Sequence, residues 1–305
     1  LLADYTISNY YPEIQSEGKE KHIEFFKNIA EKTREMIVHW QRVGFVHGVM
    51  NTDNMSIHGI TIDYGPYGWL EDYNPNWTPN TTDAEGKRYR FGNQANIALW
   101  NLYQLANALY PLIEEAEPLE TILNNFAKKY DEDFSEMMLK KLGITSKKEE
   151  NDQLIQQLLE NLQQTETDFT IFFRNLNQIK KDDSVEDCVS KINFAFYKPE
   201  EVTGIILETW HFWFAQYLTI LKEENNSDLE RKTILNSVNP KYVLRNYMAQ
   251  TAIELAEKED YSLIDELYSL LLNPYDEQPG FEKWFNKRPD WARQKIGSSM
   301  LSCSS

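Results

Sequence analysis

The chain has 305 residues, 41% hydrophobic and 13% aromatic, which suffices for a packed core and is the opposite of a disordered composition. A formal net charge of −17 argues against a surface that displaces counterions from nucleic acid, and against binding to anionic membranes. Two cysteines, Cys188 and Cys303, are too few for a disulfide-stapled secreted scaffold and point to a reducing cytoplasm.

The chain opens on Leu1-Leu2-Ala3 rather than Met, with no secretory signal ahead of it, and is read as the later part of a longer protein. Residues 21–43 predict a helix, with Ile23, Phe26, Ala30, Ile37 and Trp40 near helical spacing and Gly44 as its stop. Residues 45–66 change character, with MSI and ITI flanking His58-Gly59. Residues 71–96 are rich in Asp, Asn, Pro and Gly and predict a long irregular loop of the kind that often carries function. Helices follow at 95–113, around 118–142 and 154–162, and at 167–180, 200–223, 229–236 and 241–272. The most apolar run, residues 205–221, is interrupted by Glu208, His211 and Gln216 and predicts a buried core helix, not a membrane span. The fold class expected is mainly α with one small β-hairpin near residue 60.

That hairpin carries the chemistry. If His58-Gly59 forms a two-residue turn, Ile57 faces Ile60, Ser56 faces Thr61, Met55 faces Ile62 and Asn54 faces Asp63. An amide oxygen and a carboxylate on one side of a hairpin suit Mg²⁺, which takes one or two protein oxygens and completes its shell with phosphates and water. The plainer reading is two polar residues ending an ordinary hairpin. The flanks favour the metal. His47-Gly48 precedes Asn54, and Asp63-Tyr64-Gly65 has the Asp-aromatic-Gly form of a kinase metal motif. The position where a kinase-like loop carries its base, five residues before the Asn, is Val49, which cannot accept a proton. Asp53 is the nearest carboxylate. No GxGxxG and no strand Lys with a partner Glu occur. Lys87, Arg88 and Arg90 offer a hold for a phosphate or a substrate acid, or form a solvated turn. His47 reads as a residue that orients the loop.

These stretches resemble the SelO family, a kinase-fold group of protein adenylyltransferases. The resemblance runs through LLADYTI, HWQRVGFVHGVMNTDNMSI, TIDYGPYGWLEDY, RYRFGNQ, NPKYVLRNYMAQTAIELAE, DEQPGF and the terminal SCSS. It implies a kinase-like C-lobe core over residues 1–115, a helical region over 116–305 packed on it, and an N-lobe that this chain lacks. It implies transfer of AMP from ATP to Ser, Thr or Tyr hydroxyls of protein substrates. Asp53 would be the general base, Asn54 and Asp63 ligands of Mg²⁺ or Mn²⁺, and Asp63 close to the ATP phosphates. A kinase-like phosphotransferase and a catalytically inert scaffold are the alternatives. The compartment implied is cytoplasmic for a bacterial member and mitochondrial for a eukaryotic one. Cys303 stands third from the end, where relatives carry a redox-active residue. The position of its partner in those relatives reads Pro79 here, which puts an intramolecular disulfide in doubt; Cys188 is expected to be a buried inert thiol.

Overall fold

The longest helices set the frame. In the computed structural model, which describes residues 1–148, 150–295, 297–298 and 301, helix α1 spans Leu2–Tyr10 and α2 spans Gly18–Val43. Helix α2 buries Phe26, Ile29, Ala30, Thr33, Ile37 and Trp40, steps of three and four that make one continuous stripe. It ends where expected, because Gly44 adopts the left-handed conformation (φ 74°) and its N–H turns back to Gln41 O. Helices α3 (Gln94–Ile113) and α4 (Glu117–Leu142) pack against α2. Their shared core runs from Ile7 and Tyr11 through Phe26, Ile37, Ile97 and Leu102 to Phe126. On α3, Leu102, Leu109 and Ile113 are buried while Leu112 is exposed.

The second half of α4 leaves that core. Met137, Met138 and Leu142 join a second one with α5 (Glu150–Gln164), α6 (Phe169–Asn175), α7 (Val185–Ile192), α8 (Gly204–Glu223) and α9 (Asp228–Val238). Helix α8 is the apolar run, and it is a core helix: Trp210, Trp213, Phe214 and Tyr217 are wholly buried. Among the described residues no helix is long and apolar enough to cross a membrane. Cys188 is buried on α7, and burial pushes its thiol up to about 12, so it is held as an inert thiol.

The segment expected as one helix over 241–272 is two, α10 (Asn246–Ala256) and α11 (Ser262–Leu271), which form a third core around Tyr247, Met248, Leu263 and Leu267. The break is local chemistry. Glu257-Lys258-Glu259-Asp260 offers no apolar residue to continue the stripe, Glu259 turns left-handed (φ 66°), and Asp260 Oδ1 accepts from Ser262 N at 3.0 Å.

The β-structure also differs from expectation. The sheet has two strands, β1 (Phe45–Val46) and β2 (Gly68–Trp69), antiparallel with Phe45 opposite Trp69 and Val46 opposite Gly68. It ties the root of the 47–67 loop, not its tip. Gly68 allows a close approach there, since a Cβ would lie 2.6 Å from Asn246 Oδ1 and would displace that side chain. Beyond β2, Arg245 clasps Asp168 through two bonds of 2.8 and 2.9 Å and pairs with Glu71, all three buried. This network ties the stretch after β2 to the C-terminal helices. Losing one partner of such a buried set costs about 3–5 kcal/mol.

Candidate active site

The loop between the two strands holds the residues singled out above. Its first part is shaped by Gly48, at φ 81°, where a Cβ would meet Pro66 O at 2.2 Å. Only glycine fits both the conformation and the approach. Val49 follows, and the chain then makes a short 3-10 turn over Thr52–Asn54.

The two-residue hairpin is not formed, which corrects the pairing of Asn54 with Asp63. Among the described residues no ladder joins 54–57 to 60–63. The turn instead runs from Ser56 to Gly59, closed by Gly59 N to Ser56 O at 3.2 Å, with Ile57 and His58 central and Gly59 left-handed after them (φ 66°). The reason is packing against α2: a Cβ on Gly59 would lie 2.7 Å from Lys32 O, so the glycine is used for close approach. Helix α1 holds the tip from the other side. Tyr11 donates its hydroxyl to Ile57 O, and its ring stacks on His58 at 6.0 Å.

His47 gathers the two segments in place of a ladder. Val49 N–H donates to His47 Nδ1 at 3.3 Å, so Nδ1 is the acceptor and Nε2 carries the proton. Nε2 then donates to Ile62 O at 2.8 Å, next to Asp63. Burial holds the imidazole below its usual range, partly offset by the Ile62 carbonyl and the charge of Asp63. A neutral His47 is the form these two bonds require. Trp40 of α2 stacks on the ring at 5.4 Å and donates Nε1 to Thr61 Oγ1 at 2.9 Å.

Asn54 donates Nδ2 to Val49 O at 3.0 Å. A carbonyl acceptor fixes that amide orientation and leaves Oδ1 with no donor among the described residues. Asp63 is exposed and left-handed (φ 55°), and the chain reverses behind it through Gly65 N to Asp63 O at 2.8 Å. Non-glycine residues in this conformation carry a strain of about 1–3 kcal/mol and cluster at functional sites. Neither the Asp63 nor the Asp53 carboxylate has a hydrogen bond or ion pair among the described residues, and both are exposed. An amide oxygen and a carboxylate with open lone pairs fit a hard divalent cation that takes its other ligands from phosphate and water. No group of three His, Cys, Asp or Glu forms a metal cage among the described residues.

Sequence reasoning missed the side-chain amides that hold the loop. Gln94, fully buried at the start of α3, accepts from His47 N at 3.1 Å and donates to Phe45 O at 2.9 Å. Asn101, two turns on, donates to Met50 O at 3.0 Å, and Asn80 donates to Gly48 O at 3.2 Å. The signal was present: Gln94 and Asn101 are polar residues seven apart on an otherwise apolar stripe, and a buried amide has a partner.

Cys303 lies outside the described residues. Leu301 runs beside Pro79–Thr81, with Leu301 N to Pro79 O at 3.1 Å and Thr81 N to Leu301 O at 2.8 Å.

The family model described as protein adenylyltransferase SelO matches residues 1–272. The chain is 64% identical over 304 residues to a protein of Flavobacterium johnsoniae named protein nucleotidyltransferase YdiU, covering all of this chain and 58% of that protein. Proteins of the same name from Aromatoleum aromaticum and Rhodopirellula baltica are 48% and 46% identical, with this chain covering 57% and 59% of them. The chain belongs to the SelO family of nucleotidyltransferases. It spans a little under three fifths of the length of these relatives.

Proposed function

We propose that the whole protein transfers AMP from ATP to Ser, Thr or Tyr hydroxyls of protein substrates, with Mg²⁺ or Mn²⁺ held by Asn54 and Asp63. One observation carries the reading: His47 fastens the segments bearing Asn54 and Asp63 to each other, while the metal-seeking oxygens of both stay free. Such a cation, when bound, offsets phosphate charge in a chain whose net charge of −17 would otherwise repel the nucleotide. Asp53 takes the proton of the incoming hydroxyl. The hydroxyl oxygen forms a bond to the α-phosphorus, the α–β phosphoanhydride bond breaks, and pyrophosphate leaves. Asp53 suits this role because it is exposed and unpaired, whereas Val49 has no basic atom. Asp63 also lies close to the ATP phosphates in this reading. Residues 1–115 are read as a kinase-like C-lobe core and 116–305 as a helical region packed on it, with α4 serving both.

Full-length protein incubated with ATP labelled at the α- or the γ-phosphate tests this. Label from the α position alone is expected on the acceptor, and Asp63→Ala is expected to reduce it at least a hundredfold, the order lost with a key charge-stabilising group. Label from the γ position alone would establish a phosphotransferase. Undiminished labelling by Asp63→Ala would remove Asp63 from the site.

A further inference from the structure

The basic turn beside the loop has no role in the reading above. Lys87, Arg88 and Arg90 lie within four residues, in a chain with 31 Lys and Arg against 48 Asp and Glu. With acid in such excess a cation readily finds a carboxylate, yet these three make no ion pair among the described residues. The nearby acids do not neutralise them. Asp83 is buried and committed to the backbone, with Oδ1 accepting from Arg88 N at 2.8 Å and Oδ2 from Tyr89 N at 2.7 Å. Glu85 is exposed and likewise makes no ion pair.

The turn is held rigidly. Besides the Asp83 carboxylate, Lys87 N donates to Asp83 O at 2.7 Å and Asn93 Nδ2 to Arg88 O at 2.6 Å, and Lys87 itself is left-handed (φ 46°). The backbone bearing the three cations is thus fixed, and Arg90 Nη1 donates to Lys87 O at 3.0 Å, so less freedom remains to be lost on meeting a ligand than in a mobile loop. The Arg88 guanidinium lies over the Trp100 ring at 4.7 Å. Stacking occupies its face and leaves its N–H edge for a carboxylate, the geometry in which Arg binds acids most specifically. Trp100 is 45% exposed and Tyr103, three residues along the same face of α3, is 53% exposed, so the cations adjoin an open aromatic surface. Tyr89, in the middle of the turn, donates its hydroxyl to Asn51 Oδ1 at 2.5 Å, and Asn51 is two residues from Asp53.

We propose that Lys87, Arg88 and Arg90, with Trp100 and Tyr103, form the docking surface for an acidic segment of the protein substrate. The proposal rests on the protein-modifying reading given above and adds the chemistry of the acceptor. The surface recruits carboxylate-rich stretches near the hydroxyl to be modified and fixes their position relative to Asp53 through the Tyr89–Asn51 bond.

The test uses full-length protein and random copolymers of Glu with Tyr and of Lys with Tyr as acceptors. The triple variant Lys87→Ala/Arg88→Gln/Arg90→Gln should raise KM for the Glu–Tyr copolymer about tenfold or more, with KM for ATP and kcat little changed. The wild-type KM should rise with salt and the variant's should not. An unchanged copolymer KM overturns the proposal, and a raised KM for ATP would assign the turn to nucleotide phosphates instead. Fluorescence anisotropy with labelled copolymer requires no turnover, so it separates this proposal from the catalytic reading. Equal affinity of wild type and variant, or no binding of the Glu–Tyr copolymer by wild type, overturns the docking surface even where AMP transfer is intact. Lys87→Glu/Arg90→Glu should lose the Glu–Tyr copolymer and bind the Lys–Tyr copolymer more tightly than wild type, with an unchanged circular dichroism spectrum showing that the fold is kept; retention of the Glu–Tyr copolymer by this variant overturns the surface.

Discussion

Gly48 decides how close the two segments of the site come. Its φ of 81° and the 2.2 Å approach of Pro66 O to any Cβ place two penalties on one atom. Gly48→Ala is expected to cost about 2–6 kcal/mol, the sum of left-handed strain and overpacking. Urea unfolding checks this, and a midpoint within error of wild type would show that the loop simply moves aside. At this scale the sequence was legible for residue types and blind to register. That Val49, Asn54 and Asp63 share one loop could be read from chain order. Their pairing could not, because His58-Gly59 has the chemistry of a hairpin turn, while Gly59 is taken up by the approach to Lys32 O on α2, a tertiary demand that no short window contains.

Helix α3 does more for the site than the strands do. The sheet contributes two residues per strand, whereas Gln94 alone satisfies both His47 N and Phe45 O, standing in for a missing strand neighbour. Gln94→Leu keeps the bulk and orphans both backbone groups at about 1–3 kcal/mol each, so a loss of about 2–6 kcal/mol is expected. Hydrogen exchange gives the sharper check. The His47 amide should lose protection out of proportion to amides of α8, and a uniform loss across the chain would refute a local clamp. Helices were legible where a stripe was long. Helix α7 was missed although Ser184 and Asp187 form a capping box, because eight residues are too short for periodicity to stand out.

The molecule as a whole is joined at α4 and at a few buried polar groups. Lys141, near the end of α4, is almost wholly buried, donates to Arg42 O at 2.7 Å and Asn239 Oδ1 at 2.9 Å, and lies 3.9 Å from the centre of the Phe173 ring. Burial, with the nearby charge of Arg42, holds its ammonium well below 10.5. The unfolded chain therefore binds one more proton than the folded one between the lowered value and 10.5. Stability should rise with pH through that window, by at most about 1.4 kcal/mol per unit from this group. Subtracting the pH profile of Lys141→Met from that of wild type isolates the slope, and parallel profiles would show that the lysine stays charged inside. The three cores were not legible in the sequence, since the stripes say which residues are buried and not against what.

The two-residue sheet at the root of the 47–67 loop has a consequence for order of loss. With so little hydrogen-bonded ladder of its own, the loop is kept in shape by Tyr11 just after α1, Trp40 from α2, Gln94 and Asn101 from α3, and Asn80. Loosening of any one of these supports releases part of the site while the helical cores remain folded. The loop thus depends on other elements for its shape, and that shape is expected to be lost at temperatures or denaturant concentrations where helix content still reads as native.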